Sequence, residues 1–232
     1  MSEQPTLVMV SGLGGDERLF VPQQTLPWPI VAVKWLEPRR RESLASYGQR
    51  LAERLEVARP FFLGGVSIGG MLALEMSRWT RPEAVFLIAS ARSGHALRRI
   101  YRPLGWAIGT APFWASLPPH LSRPLARLIA KHLLPSSRQL NAEQRRFLAV
   151  IASNASPRFV RWGCRAVVTW PGVDLPRVPV YHIHGERDRV IPLRRVRPDH
   201  IVRTGGHLIN LSHAGEVNAY LKSKIEKHLA GK

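Results

Sequence analysis

Residues 61–74, FFLGGVSIGGMLAL, leave this chain little freedom. An apolar, β-prone run, Phe61-Phe62-Leu63, passes through Gly64-Gly65-Val66-Ser67-Ile68-Gly69-Gly70 into good helix formers, Met71-Leu72-Ala73-Leu74-Glu75-Met76. The composition predicts a strand, a sharp turn and a helix. Ser67 occupies the middle of Gly65-x-Ser67-x-Gly69. A serine hydroxyl that stands clear of the backbone needs a tight turn, and neighbours without Cβ atoms let the strand and helix pack closely. The following helix aims its free N–H groups and positive dipole end at the turn. A glycine-rich βα turn with an ordinary serine would look the same. The weight of Ser67 therefore depends on whether the rest of the chain supplies a base, an acid and an oxyanion site.

The surrounding sequence repeats the same unit. Strands are predicted at 6–10, 30–35, 61–66 and 84–89, with helices at 44–57 and 69–79 between them. Ser43 or Ser46 caps the first helix, whose Leu44, Tyr47, Leu51, Leu55 and Val57 recur at about 3.6 residues. Alternating βα units imply a parallel sheet flanked by helices. Two more strands are predicted at 179–184 and 200–203, and a last helix at 212–228. The expectation is an α/β fold with a mainly parallel six-stranded sheet. At 232 residues the chain can bury one sizeable core.

The alternation breaks between Arg92 and Arg165. This stretch reads as short helices near 97–108, 124–133 and 142–152, punctuated by prolines, and is taken as a helical cap. The expected division is 1–91 and 166–232 for the core and 92–165 for the cap. The chain carries a formal charge of +18, from 34 Lys and Arg against 16 Asp and Glu, and the cap holds 13 of those basic residues against one acid, Glu143. Such a balance favours anionic partners. No basic nucleic-acid motif accompanies it, and 28 of the 34 basic residues are arginine, as a coding bias would produce. Nucleic acid is not expected. Arginines beside Trp106, Trp114, Phe159 and Trp162 suit a lid that roofs an apolar pocket and turns a basic face to solvent. The same pattern suits peripheral contact with an anionic membrane.

A serine hydroxyl is a weak nucleophile. It needs an imidazole to take its proton and a carboxylate to orient the imidazole. Among nine histidines, His207 follows Gly205-Gly206 directly after the last strand. In a parallel sheet that loop lies at the same edge as Ser67. His182 and His184 lie within a strand and read as core or supporting residues, while His95 follows the fourth strand and could line a pocket. Of four aspartates, Asp188 follows the fifth strand, again at that edge, with Glu186 as the fallback. Asp174 and Asp199 precede strands, and Asp16 sits on the glycine loop Ser11-Gly12-Leu13-Gly14-Gly15 after the first strand. That loop matches no nucleotide-binding fingerprint.

The order Ser67, Asp188, His207 is nucleophile, acid, base. With Gly65-Val66-Ser67-Ile68-Gly69-Gly70, His184-Gly185-Glu186-Arg187-Asp188, Gly205-Gly206-His207-Leu208-Ile209-Asn210 and Ser11-Gly12-Leu13-Gly14, the chain resembles the α/β-hydrolase superfamily, in its branch of small, cap-bearing serine esterases. The resemblance covers essentially the whole length. It implies a nucleophile elbow at Ser67 and an oxyanion hole made by the backbone N–H groups of Leu13 and Ile68. The family often has His-Gly where this chain has Ser11-Gly12, but a backbone donor does not require that histidine.

The expected activity is cleavage of a carboxylic ester or thioester through an acyl-enzyme, with Ser67, Asp188 and His207 catalytic and no metal or cofactor. Gly12, His95, Trp106 and Trp114 are the expected substrate-binding residues, for a small neutral or anionic ester. The same fold and triad serve amidases, peptidases and C–C bond hydrolases, and a hydrolase fold can also serve as a ligand-binding receptor. The single Cys164 excludes an internal disulfide. The first residues carry no basic run ahead of an apolar one, so a signal peptide is not expected and a cytoplasmic location is.

Overall fold

The computed structural model describes residues 4–97, Pro103, 140–153, 155–173 and 176–231. Six strands form one sheet: β1 (Thr6–Val10), β2 (Ile30–Ala32), β3 (Phe61–Val66), β4 (Val85–Ile88), β5 (Val180–Gly185) and β6 (His200–Val202). Their order is β2-β1-β3-β4-β5-β6 and every pair is parallel. The helices of the described residues are α1 (Leu44–Glu53), α2 (Ile68–Met76), α3 (Ala142–Ser153), α4 (Pro157–Thr169), α5 (Ile209–Ser212) and α6 (Ala214–Ala230). None is long and apolar enough to cross a membrane.

Strand periodicity divides the core in two. Val8, Val10, Leu63, Val85 and Leu87 join the cluster containing α1, α2 and α4. Leu7, Met9, Phe62, Phe86 and Ile88 join the opposite cluster, with Leu19, Phe20 and residues of α6. Side chains alternate between faces along a strand, so two covered faces make the central strands apolar throughout. All six residues of β3 and all four of β4 are buried accordingly. Gly64 leaves room in this sheet for Met9, whose sulfur lies 2.8 Å from where a Cβ would stand.

Helix α1 begins where Ser43 accepts a hydrogen bond from the Ser46 N–H at 3.1 Å, satisfying one free N–H of the first turn. A Cβ on Gly48 would lie 2.7 Å from Glu75 Cβ, so the glycine allows α1 and α2 to close on each other. Three departures from the sequence expectations stand out in the core. A 3-10 helix, Glu17–Thr25, follows the glycine loop, capped by the Asp16 side chain. Strand β2 stops at Ala32, short of Trp35, whose indole N–H bonds to the Gly15 carbonyl at 2.7 Å. The last helix begins at Ala214, after the separate short turn α5.

Within the insertion, the helix expected at 142–152 is α3. The helices expected at 97–108 and 124–133 lie outside the described residues, apart from Leu97 and Pro103. The division proposed at 165 falls inside α4, which runs on to Thr169. Helix α4 packs onto the core: Phe159 lies 4.6 Å from Trp35 and Trp162 4.2 Å from Tyr47, ring centre to ring centre. The Trp162 indole N–H bonds to the Glu42 carbonyl at 2.9 Å. Just past α4, Trp170 donates to the buried Glu75 carboxylate of α2 at 2.6 Å.

Candidate active site

The chain leaves β1 for β2 on one side and returns to β3 on the other. Loops after β1 and β3 therefore diverge at the carboxyl edge of the sheet, where open α/β sheets form their binding crevice. The glycine loop and Ser67 occupy that point.

Ser67 stands between β3 and α2 with φ 56° and ψ −123°. A non-glycine residue held there stores roughly 1–3 kcal/mol of strain. The neighbours explain how the turn is held. A Cβ on Gly65 would lie 2.2 Å from the Gly69 carbonyl carbon, and one on Gly69 only 2.0 Å from the Val10 carbonyl oxygen. The Ser67 N–H donates to the Ile88 carbonyl at 3.1 Å. The Ser67 carbonyl accepts from the Gly70 N–H at 3.1 Å and from the Ser90 hydroxyl at 2.6 Å. Sequence reasoning passed over Ser90. It follows β4 at the same edge, but its reach depends on the positive φ of Ala89, 46°, which no residue type announces.

Asp188 is held by its own loop. Its Oδ1 accepts the Val190 and Ile191 N–H groups at 2.8 and 2.9 Å. Its Oδ2 lies 2.7 Å from His207 Nδ1. Burial works to raise this carboxyl. The charge and hydrogen bond of His207, with His184 and the Ile191 N–H, outweigh burial and hold it below its ordinary value. A carboxylate only accepts, so Nδ1 of His207 carries the proton and Nε2 offers its lone pair. That Nε2 lies 2.9 Å from Ser67 Oγ. Gly185 makes the approach possible, because a Cβ there would lie 2.2 Å from the Gly206 carbonyl oxygen. The structure thus brings Ser67, His207 and Asp188 into one hydrogen-bonded chain, with His207 and Asp188 buried.

The glycine loop lies beside it. Gly12 stands with its Cβ position 3.7 Å from Ser67 Cβ. The loop is closed by the Gly15 N–H to Gly12 carbonyl bond at 2.9 Å and by the Ser11 hydroxyl on the Gly15 carbonyl at 3.1 Å. Leu13 and Ile68 meet beneath α4, where the position of a Gly163 Cβ lies 2.4 Å from Leu13 Cδ1 and 3.5 Å from Ile68 Cδ1. Among the described residues neither the Leu13 nor the Ile68 N–H donates a hydrogen bond.

The remaining candidates are not members of this hydrogen-bonded chain. Glu186 pairs with Arg203 at 2.9 Å, and Asp16 with Arg18. Asp199 accepts the His182 N–H at 2.6 Å. His95 is exposed on a 3-10 turn, Gly94–Ala96, where its carbonyl accepts from Arg195 at 3.3 Å. Trp106, Trp114 and Asp174 lie outside the described residues. A groove of about 430 Å³ lined by Tyr181, Lys224, Lys227, His228 and Gly231 shares no residue with the Ser67 cluster.

The fold recurs in solved structures. A thermophilic esterase from Thermogutta terrifontis superposes with a TM-score of 0.74 at 14% identity, covering 97% of this chain and 90% of its own. A hydrolase from Oleispira antarctica gives 0.75 at 12% identity, covering 97% and 92%. The enol-lactonase from Burkholderia xenovorans LB400 gives 0.72 at 16% identity, covering 99% and 92%. A sequence search of curated proteins finds no match. The sequence model of the alpha/beta hydrolase family matches residues 7–220. That span takes in the glycine loop, the Ser67 turn and the loops of Asp188 and His207, and the chain belongs to the alpha/beta hydrolase family.

Proposed function

We propose that this hydrolase cleaves a carboxylic ester, or a thioester, through an acyl-enzyme on Ser67. The hydrogen-bonded chain from Ser67 Oγ through His207 to Asp188 carries the reading, at 2.9 and 2.7 Å. His207 Nε2 takes the hydroxyl proton as Oγ attacks the carbonyl carbon. The negative charge that develops on the carbonyl oxygen is met by the Leu13 and Ile68 N–H groups. Each such donor is worth about 3–4 kcal/mol in the transition state. His207 then hands its proton to the leaving oxygen or sulfur as that bond breaks. In the second half His207 takes a proton from water, the hydroxide so formed attacks the acyl carbon, and the proton returns to Oγ as the acid departs. Asp188 stays ionised throughout and holds the imidazolium.

Amide and C–C bond cleavage would use the same groups. The esterase and lactonase neighbours favour the ester. The substrate is a small neutral or anionic ester, on the argument that Arg92, Arg187 and Arg189 are exposed at the sheet edge that carries Ser67. The insertion at 92–165 is the lid in this reading, and its basic face suits an anionic membrane. Covalent labelling by a fluorophosphonate probe, with Ser67→Ala as control, tests the reading. Wild-type protein is expected to label and the variant not. A wild type that takes no label overturns the hydrolase mechanism, and faster turnover of cationic than of anionic esters overturns the charge argument.

A further inference from the structure

Two imidazoles that the steps above do not use are buried on β5 behind Asp188. His184 is fully buried and His182 is 4% exposed. Being two residues apart they share a face of the strand. Their contacts fix both tautomers. His184 Nε2 lies 2.8 Å from the Ile191 carbonyl oxygen and 3.4 Å from Asp188 Oδ2. Both oxygens only accept, so Nε2 carries the proton and Nδ1 the lone pair. That lone pair faces His182 Nε2 at 3.2 Å, so His182 is the donor.

The pair stays neutral at ordinary pH. Burial, aided by the neighbouring His184 and Arg92, pushes His182 down to about 3. Burial also holds His184 below its ordinary value, against the pull of Asp188 and the Ile191 carbonyl. The charge of Arg92 acts on His182, that of His207 on His184, and that of Asp188 on both. A neutral His184 leaves Asp188 with a single imidazolium to stabilise, that of His207.

The same peptide region is gripped from two sides. Ile191 offers its N–H to Asp188 Oδ1 at 2.9 Å and its carbonyl to His184 at 2.8 Å. We infer that His184 is a positioning residue for Asp188, tying the 188–191 loop to β5 so that the carboxylate is aimed at His207. The inference rests on the hydrolase reading for its effect on rate, while the tie itself is a structural property. Packing alone does not need a ring of fixed tautomer between two acceptors, and any apolar side chain of similar size would fill the space.

The test compares His184→Leu, which removes the donor, with His184→Gln, which can return one to the Ile191 carbonyl; His184→Phe replaces the leucine variant if that one does not fold. Two readouts are taken. One is the far-downfield proton resonance of the His207–Asp188 hydrogen bond, which needs no turnover. The other is the split between kcat and KM on an ester that the wild type accepts. The leucine variant is expected to broaden or lose the resonance and to lose up to roughly tenfold in kcat with KM unchanged, the size of one neutral hydrogen bond. The glutamine variant is expected to recover both in part. A leucine variant that keeps the resonance, whatever its melting temperature, overturns the inference and reduces His184 to packing. Absence of probe labelling on the wild type bears only on the hydrolase reading, because the resonance is measured without it.

Discussion

The turn around Ser67 and helix α4 touch each other, yet they are built by opposite means. The turn is held by backbone: Gly65 and Gly69 bring main-chain atoms to within 2.0–2.2 Å of where a Cβ would stand. Helix α4 is held by side chains, with Phe159 and Trp162 set into the Trp35 and Tyr47 rings. Where the two meet, Gly163 of α4 gives way to the flexible tip of Leu13, not to backbone. The difference teaches that the Ser67 hydroxyl is placed by short rigid geometry, while the helix beside it is placed by packing that can be adjusted.

The largest expected effect breaks the turn's chemistry without touching its frame. Ser67→Ala should lower kcat by roughly 10⁴–10⁶-fold and leave the melting temperature in place. Ser67→Gly should be equally inactive and gain about 1 kcal/mol in denaturant unfolding, because glycine adopts the positive φ without strain. Next comes the frame itself. Gly69→Ala places a methyl on the Val10 and Ser11 carbonyl oxygens, and neither backbone atom can step aside. A loss of roughly 3 kcal/mol or more is expected; near-wild-type stability would show the turn to be softer than its geometry.

On the other side of the comparison, Trp162→Ala should cost roughly 3–5 kcal/mol, although the residue lies in the insertion. It empties the space beside Tyr47 and strands the Glu42 carbonyl. A loss well below that would mean that α4 sits loosely on the core. Gly163→Ala should be milder, about 1–2 kcal/mol, since Leu13 can rotate. Its mark should appear in kcat, through displacement of the glycine loop. A variant with unchanged kcat would separate α4 from the proposed oxyanion donors.

A pH effect follows from the buried pair on β5. The folded value of His182 is depressed from 6.5 to about 3, so between these limits the unfolded chain binds a proton that the folded chain does not. Its contribution to stability is complete above pH 6.5 and is lost as pH falls toward 3. Denaturant midpoints should therefore drop between pH 7.5 and pH 4.5, and His182→Leu should flatten that drop. An equal drop in the variant would assign it to other groups.

The site was legible where local signals coincide. Ser67, Asp188 and His207 each follow a strand, and each has glycine close by: Gly65 and Gly69, Gly185, and Gly205-Gly206. Strand direction then sends all three to one edge. Ser90 was not legible, since its bond to the Ser67 carbonyl depends on the turn at Ala89. Phe159 and Trp162 were legible as apolar residues among arginines, though no helix was expected at Pro157–Thr169. The surface they cover was not, because amphipathic spacing says that a face is buried without saying against what.

By itself the sequence determined the parallel sheet and the order of its parts, because apolar runs, glycine turns and helical periodicity are properties of neighbouring residues. Only the tertiary structure decided the contacts that span the chain: Ser90 under Ser67, Trp170 on Glu75, and Gly163 against Leu13. Each depends on distances of a few tenths of an ångström between segments far apart in sequence or on separate loops. Such distances arise from how close-packed elements settle against one another, and no local pattern encodes them.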